Sequence, residues 1–208
     1  MARYLGPVCR LCRRERTKLY LKGAKCDTLK CPMERRPFPP GMHGRERTRQ
    51  GSEYLLQLRE KQKAKRVFGV LEKQFRLYYK RAAAKPGIAG ENLIKLLELR
   101  LDSVVYRIGW ASSRKQARQF VRHGHILVNG QKVTIPSYSL KVGDKIELSE
   151  HARNFIVIRH NKEIINRQPP PWIEVLSPGY VAQIRTEPLR EHSDVPVREQ
   201  LIVELYSK

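Results

Sequence analysis

The sequence predicts an α+β fold in three parts. These are a basic N-terminal extension organised by cysteines, a run of helices, and a helix-helix-hairpin module with a small antiparallel sheet. Three observations carry the prediction. All four cysteines of the 208-residue chain fall before residue 32. Apolar residues recur at helical spacing from about Ser52 to Ile108, and beyond Gly124 the pattern changes to short strand-like runs separated by turn residues. Between the two, Ser113–Gly130 reads as a short basic helix that leads straight into a tight hairpin.

In the extension the spacing is Cys9-x2-Cys12-x13-Cys26-x4-Cys31. Two close pairs separated by a loop of this size are how a four-thiolate site is assembled, because each pair forms a local chelate and the metal closes the loop between them. Disulfides are the competing reading, disfavoured in a reducing compartment. Zinc is the first choice; an iron–sulfur cluster uses the same ligand type and stays open. The pattern offers no vacant coordination position and no neighbouring general base, so the metal would be structural. Residues 1–50 carry fourteen Lys and Arg against four acids and few large apolar residues, too few for a core of their own. A structural metal contributes folding free energy on the order of 10 kcal/mol to such a module. Arg3, Arg10, Arg13 and Arg14 would then be displayed on or beside a rigid knob, with Lys25 and Lys30.

Arg35-Arg36-Pro-Phe-Pro-Pro-Gly-Met-His43-Gly44 follows. Its three prolines and two glycines predict an extended, turn-rich arm, and Arg45, Arg47 and Arg49 carry positive charge onward. A helix is predicted from Ser52, with Leu55, Leu58 and Gln62 on one stripe and Arg59, Lys61, Lys63, Lys65 and Arg66 over the remaining surface. Gly69 separates it from a second helix over Leu71–Ala84, and Pro86-Gly87 marks the next boundary. Asn92–Ile108 is the most apolar stretch. Asp102-Ser103 is expected to cap a restart within it, giving two short helices.

In Ser113–Gly130, Ser113 and Gln116 form a capping-box pattern. Arg114, Arg118 and Arg122 recur at i, i+4 and i+8 along one face, while Ala117, Phe120 and Val121 form an apolar face. Gly124 ends the helix and Asn129-Gly130 is a strong two-residue hairpin signal. No acidic residue lies between Ser113 and Gly130, so the arginine stripe is expected to be uncompensated and to suit a phosphate backbone. The return strand is placed at Lys132-Val133, another strand at Lys145–Leu148, and a helix from Ser149 to about residue 166 with Phe155, Ile156 and Ile158 buried. Trp172–Leu176 and Tyr180–Arg185 are read as a hairpin, and Glu199–Tyr206 as a helix.

Lys and Arg outnumber Asp and Glu by 42 to 20, a formal net charge of +22. That charge opposes compaction unless a polyanion neutralises it, and nucleic acid is the leading candidate over an anionic membrane. No apolar run approaches the roughly 18 residues needed to span a bilayer, and no secretory signal is evident, so cytosolic residence is expected. His43, His123 and His125 sit in basic surroundings, which favours contact with RNA, or packing, over metal binding or catalysis.

The helix-hairpin Ser113–Gly130 resembles the RNA-binding module named after ribosomal protein S-four, which also occurs in some pseudouridine synthases and tyrosyl-tRNA ligases. Arg3-Tyr-x-Gly6-Pro7, the four cysteines, Arg36-Pro-Phe-Pro-Pro-Gly-Met-His-Gly44, Leu58-Arg-Glu-Lys-Gln62 and Arg100-Leu-Asp-Ser-Val-Val-Tyr106 extend the likeness end to end. The chain is similar to the bacterial-type small-subunit ribosomal protein S-four family, in its four-cysteine zinc-binding branch. The resemblance implies a structural protein that binds small-subunit ribosomal RNA and nucleates assembly of the 5′ domain at a multi-helix junction. It implies contacts with ribosomal protein S-five, a part in translational accuracy, and a place beside the path by which messenger RNA enters. By position, Arg45, Arg47 and Arg49 would lie towards that path; Arg114, Lys115, Arg118, Arg122, His123 and His125 would face ribosomal RNA, with Lys132 beside them. The implied domains are a knob and arm (1–50), a helical domain (51–91) completed by 186–208, and an inserted α/β RNA-binding module (92–185).

Arg100-Leu101-Asp102 also resembles the element that holds the catalytic Asp of pseudouridine synthases. There it lies in a separate domain beyond the RNA-binding module, whereas here it precedes the module, and the residues after Leu148 are too few for such a domain. With no Gly-rich phosphate loop or nucleophile elbow, an enzyme is not expected. A zinc-containing DNA-binding regulator fits poorly too, since basic residues are spread over knob, arm, helices and hairpin rather than concentrated in one reading helix.

Overall fold

The computed structural model describes residues 3–46, 51–164, 168–176 and 178–207. The chain divides into two compact units, Met1–Leu93 with Val195–Lys208, and Ile94–Asp194. These boundaries, at 93/94 and 194/195, differ by two and nine residues from the 91/92 and 185/186 divisions expected from the sequence. The segment 186–194 belongs with the second unit because the Ser193 hydroxyl donates to Glu98 (2.9 Å) and Asp194 pairs with Arg107 (2.6 Å).

In the first unit, α1 (Cys9–Glu15) and α2 (Pro32–Arg35) carry the cysteine module. α3 (Glu53–Val67) starts at Ser52, whose hydroxyl accepts from the Leu55 N–H, and α4 (Glu72–Ala83) follows a turn at Gly69, where φ is +64°. Phe68, Val70, Phe75, Tyr78 and Ala82 make the core with Ala64 and Val67 of α3 and Ile202 of α10 (Glu199–Ser207). The buried face of α3 is Gln57, Lys61, Ala64 and Val67, not the Leu55–Leu58–Gln62 stripe; Leu55 is exposed. The sequence pattern misleads here because the inward polar ends are paired. Gln57 donates to Glu204 on α10 (3.0 Å), and the Lys61 ammonium sits 2.9 Å from Glu72 on α4. Buried polar groups are tolerated when satisfied in this way.

α5 (Ala89–Glu98) contains the boundary between the units, and α6 (Leu101–Ile108) begins after a break at Leu99-Arg100. Two short helices were expected there, but Asp102 is not the cap. Arg100 occupies that position with no side-chain cap, and Asp102 in the first turn binds guanidinium groups instead. α7 (Arg114–Arg122) is capped by the Ser113 hydroxyl, which accepts from the Gln116 N–H at 3.3 Å. Only half of the expected capping box forms, because the Gln116 side chain accepts from the N–H and hydroxyl of Ser112 (2.6 and 2.9 Å).

Gly124, with φ +74°, releases the chain into β1 (Ile126–Val128), and Asn129 (φ +51°) and Gly130 (φ +78°) turn it into β2 (Gln131–Lys132). Positive φ at both turn residues is what a two-residue hairpin matching the strand twist demands. β3 (Lys145–Leu148), β4 (Ile173–Leu176) and β5 (Val181–Ile184) complete an antiparallel five-stranded sheet of order β2-β1-β3-β5-β4.

The helix expected over 149–166 is interrupted. α8 (Glu150–Arg153) and α9 (Ile156–Ile164) flank a tight turn in which the Phe155 N–H donates to Ala152. The turn points Ile158 into the core and leaves Ile156 82% exposed, contrary to expectation; 165–167 lie outside the described residues. Leu101, Val104 and Val105 of α6, Ala117 and Val121 of α7, and the inward residues of the sheet form one core with Trp110 and Trp172.

Candidate nucleic-acid interface and candidate metal centre

The four cysteines come from separate local elements: Cys9 and Cys12 from α1, Cys26 from a 3-10 turn (Gly23–Cys26), and Cys31 from the residue before α2. All four line one small pocket with Val8, Leu21, Lys22, Lys25, Pro32 and Met33, and Cys12, Cys26 and Cys31 are buried. None is in a disulfide. Burial pushes the Cys12 and Cys26 thiols up, and the neighbouring thiols push the same way, while the Leu19 and Lys22 backbone N–H groups oppose them. Burial and mutual repulsion both penalise ionised sulfur in this donor set, and a bound cation would offset both. The set fits a thiolate-bound metal in its chemistry. Among the described residues, however, no group of three or more His, Cys, Asp or Glu side chains is gathered closely enough to be assigned an ion.

Glu15 at the end of α1 ties this module to α3. Its side chain is 1% exposed and pairs with Arg66 and, at 3.3 Å, with Arg59. The Pro/Gly arm is also anchored. Arg13 donates through Nε to the Phe38 carbonyl (3.0 Å) and stacks on the Phe38 ring (5.0 Å), and Arg45 lies 4.9 Å from the same ring. The arm contains a 3-10 turn (Met42–Arg45), where His43 meets Glu46 at 2.6 Å. Arg47 and Arg49 lie outside the described residues.

The cations expected to face RNA divide into two groups. Arg3, Arg10, Arg14, Arg35, Arg36, Arg45, Arg122, His123 and Lys132 are exposed. Lys115 and His125 are half-buried, and His125 contacts His123, His151 and Phe155. Burial, with help from His123, His151 and Lys132, holds the His125 pKa below its ordinary value.

The second group is turned inward. Lys61 and Lys65 both bind Glu72 (2.9 Å each), Lys63 binds Glu60 (2.5 Å) and Arg66 binds Glu15. Arg114 and Arg118 are compensated, contrary to the expectation of a free stripe. Asp102 is gripped bidentately by Arg100 (3.0 and 2.7 Å) and met by Arg118 at 3.4 Å. Glu98 is gripped by Arg107 (3.0 and 2.6 Å), accepts from Ser193, and lies 3.8 Å from Arg114, whose guanidinium stacks 4.5 Å from the Tyr106 ring. Glu98 is held below the ordinary carboxylate range although its burial pushes the other way; the Arg107 hydrogen bonds and the charges of Arg107 and Arg114 outweigh desolvation. Sequence reading missed these carboxylates because both precede Ser113 and were not matched to the stripe. An acid such as Glu98 inside an otherwise apolar run is the signal that could have found the first.

Among the described residues no helix is long and apolar enough to cross a membrane. A basic chain with a helix-hairpin module and exposed cations on several surfaces has the character of a nucleic-acid-binding protein. Residues 3–98 match the family model for the ribosomal protein S4/S9 N-terminal domain, and residues 99–146 match that for the S4 domain. Over the full length of both chains, it is 57% identical to small ribosomal subunit protein uS4 of Acidothermus cellulolyticus and 58% to uS4A of Clostridium acetobutylicum. Identity with uS4 of Geotalea uraniireducens is 54%, again over both full lengths. The chain belongs to the uS4 family of small ribosomal subunit proteins.

Proposed function

We propose that this chain is a primary ribosomal-RNA-binding component of the small ribosomal subunit that nucleates assembly of the 5′ domain. Membership of the uS4 family makes it a structural constituent of the cytoplasmic ribosome and not an enzyme. The single observation carrying the proposal is the end-to-end likeness to small-subunit proteins. The exposed cations Arg3, Arg10, Arg14, Arg35, Arg36, Arg122, His123 and Lys132 are the first candidates for RNA contact. The resemblance supports an S-five interface, a contribution to translational accuracy, and a position for Arg45, Arg47 and Arg49 beside the messenger RNA path. It also supports the knob and arm as a functional segment distinct from the helical and inserted parts.

We assign a structural zinc to Cys9, Cys12, Cys26 and Cys31, supported by their spacing and by the one pocket they share; an iron–sulfur cluster is the alternative. Elemental analysis after aerobic purification should give one zinc per chain, whereas iron with acid-labile sulfide would replace that assignment.

Equilibrium binding to 5′-domain RNA and to a random DNA duplex at matched salt tests the function. The RNA should bind far more tightly, and the affinity should fall steeply with ionic strength. Equal affinities, or absence of the protein from small subunits sedimented at low salt, would sink the proposal.

A further inference from the structure

Helix α4 carries a basic row of its own, apart from the cations of the cysteine module, α3, α7 and the hairpin. Lys73, Arg76 and Lys80 stand at i, i+3 and i+7 and are exposed, Arg81 is exposed beside them, and Lys85 follows just past the helix end. At 100° per residue these positions fan over one outward arc, opposite Phe75, Tyr78 and Ala82, which are buried. The row spans roughly 10 Å along the axis at 1.5 Å per residue.

Glu72 is the one acid in the helix, and it is occupied. Lys61, Lys65 and the Tyr206 hydroxyl (2.8 Å) all bind it. Among the described residues none of the five cations has a carboxylate partner.

A row of this kind, uncompensated on a chain of net charge +22, is a polyanion surface in waiting. A membrane partner would need an outward apolar face, and among the outward residues of α4 Leu77 is the one exposed large apolar side chain, set between Lys73, Arg76 and Lys80; the other large apolar residues, Phe75 and Tyr78, are buried. Regular spacing on a rigid rod suits a repeating phosphate backbone. We propose that the outward face of α4 docks on the phosphate backbone of a ribosomal RNA helix, as a contact additional to the exposed cations of the cysteine module and the hairpin. The inference rests on the reading that this protein binds ribosomal RNA.

Full-length K73A/R76A/K80A, titrated with 5′-domain RNA over a salt series beside the wild type, tests it. Each lost phosphate contact removes about 0.7–0.9 from the slope of log affinity against log salt, so the triple variant should be shallower by roughly 2–3. With the two lines meeting near 1 M salt, its affinity near 0.1 M should fall by about 100- to 500-fold on the same account. R76K should keep the wild-type slope. If the triple variant lost its thermal transition, the K73Q/K80Q pair would carry the same test, with a slope change of roughly 1.5–2. Unchanged slope and affinity in a variant, while the wild type binds RNA, would overturn the α4 contact and leave the function standing. A wild type that failed to bind the RNA would overturn both.

Discussion

Helices α4 and α7 carry the same number of cations and use them in opposite ways. α7 places four cations in nine residues and α4 four in twelve. In α7, Arg114 and Arg118 are drawn into a core where Glu98 and Asp102 meet them. In α4, Phe75, Tyr78 and Ala82 fill the inward side and every cation stays in water. The difference lies in what the helix must bury. The inward residues of α7 are small, Ala117 and Val121, so the neighbouring arginines are carried in with them and carboxylates from α5 and α6 become necessary. A row of like charges at helical spacing therefore does not say whether it faces solvent. The size of the apolar residues beside it says more.

The strongest way to break this comparison is Arg118→Ala. Truncating Arg118 leaves Asp102 paired with Arg100 alone, and loss of one partner of a buried polar group costs about 1–3 kcal/mol. Trp110 and Trp172 are both fully buried in the same unit, so denaturant unfolding followed by tryptophan fluorescence reads its stability directly. Arg122→Ala, on the exposed side of the same helix, should change it by less than about 0.5 kcal/mol. Equal effects from the two variants would show that the arginines of α7 are not divided as described.

A smaller loss is expected at the start of that helix. Ser113→Ala removes the acceptor for the Gln116 N–H and should cost about 1 kcal/mol, read by the same fluorescence transition. A null result would mean that Gln116 and Ser112 hold the first turn without it.

The third test concerns the carboxylate that anchors α4. Lys61, Lys65 and Tyr206 lower the Glu72 pKa to about 2 against the opposing effect of burial. A depressed carboxylate stabilises the fold above its ordinary pKa of 4.5, and that stability drains away as pH falls towards 2. The Glu72 side chain is 45% exposed, so solvent screening limits the effect to about 0.2–1 kcal/mol. In Glu72→Gln, amide exchange of α4 and α10 should already be faster at pH 7, and should show less acid dependence between pH 4.5 and 2 than in the wild type. Identical acid profiles would remove Glu72 as the anchor.

What the sequence disclosed follows from how local each signal is. The helix start near Ser52, the Ser113 cap, the Gly124 release and the Asn129-Gly130 turn depend on residues within a few positions of each other, and all form. The α3 face was misread because its inward residues are Gln57 and Lys61, whose partners Glu204 and Glu72 lie on other helices. The pinning of the arm is likewise non-local, since Arg13 reaches Phe38 across 25 positions. Of the expected RNA-facing cations, Arg3, Arg10 and Arg14 of the knob and Lys132 of the hairpin are exposed, while those of α3 and the inner arginines of α7 found carboxylates that no spacing rule assigns to them.

The smallest effect belongs to α4 itself, and its sign is informative. Lys73→Ala, Arg76→Ala or Lys80→Ala removes an exposed charge with no carboxylate partner, so each should alter stability by less than about 0.5 kcal/mol. Because the chain carries a net +22, any change should be towards greater stability, through relief of self-repulsion. Screening sharpens the test. The Debye length is about 30 Å at 0.01 M salt and about 8 Å at 0.15 M, so a gain from relieved repulsion should appear in the first condition and vanish in the second. Thermal unfolding at both salts, with amide exchange reporting on α4, separates the cases. A loss that persists at 0.15 M salt would mean that the α4 cations are held by the protein, as those of α7 are.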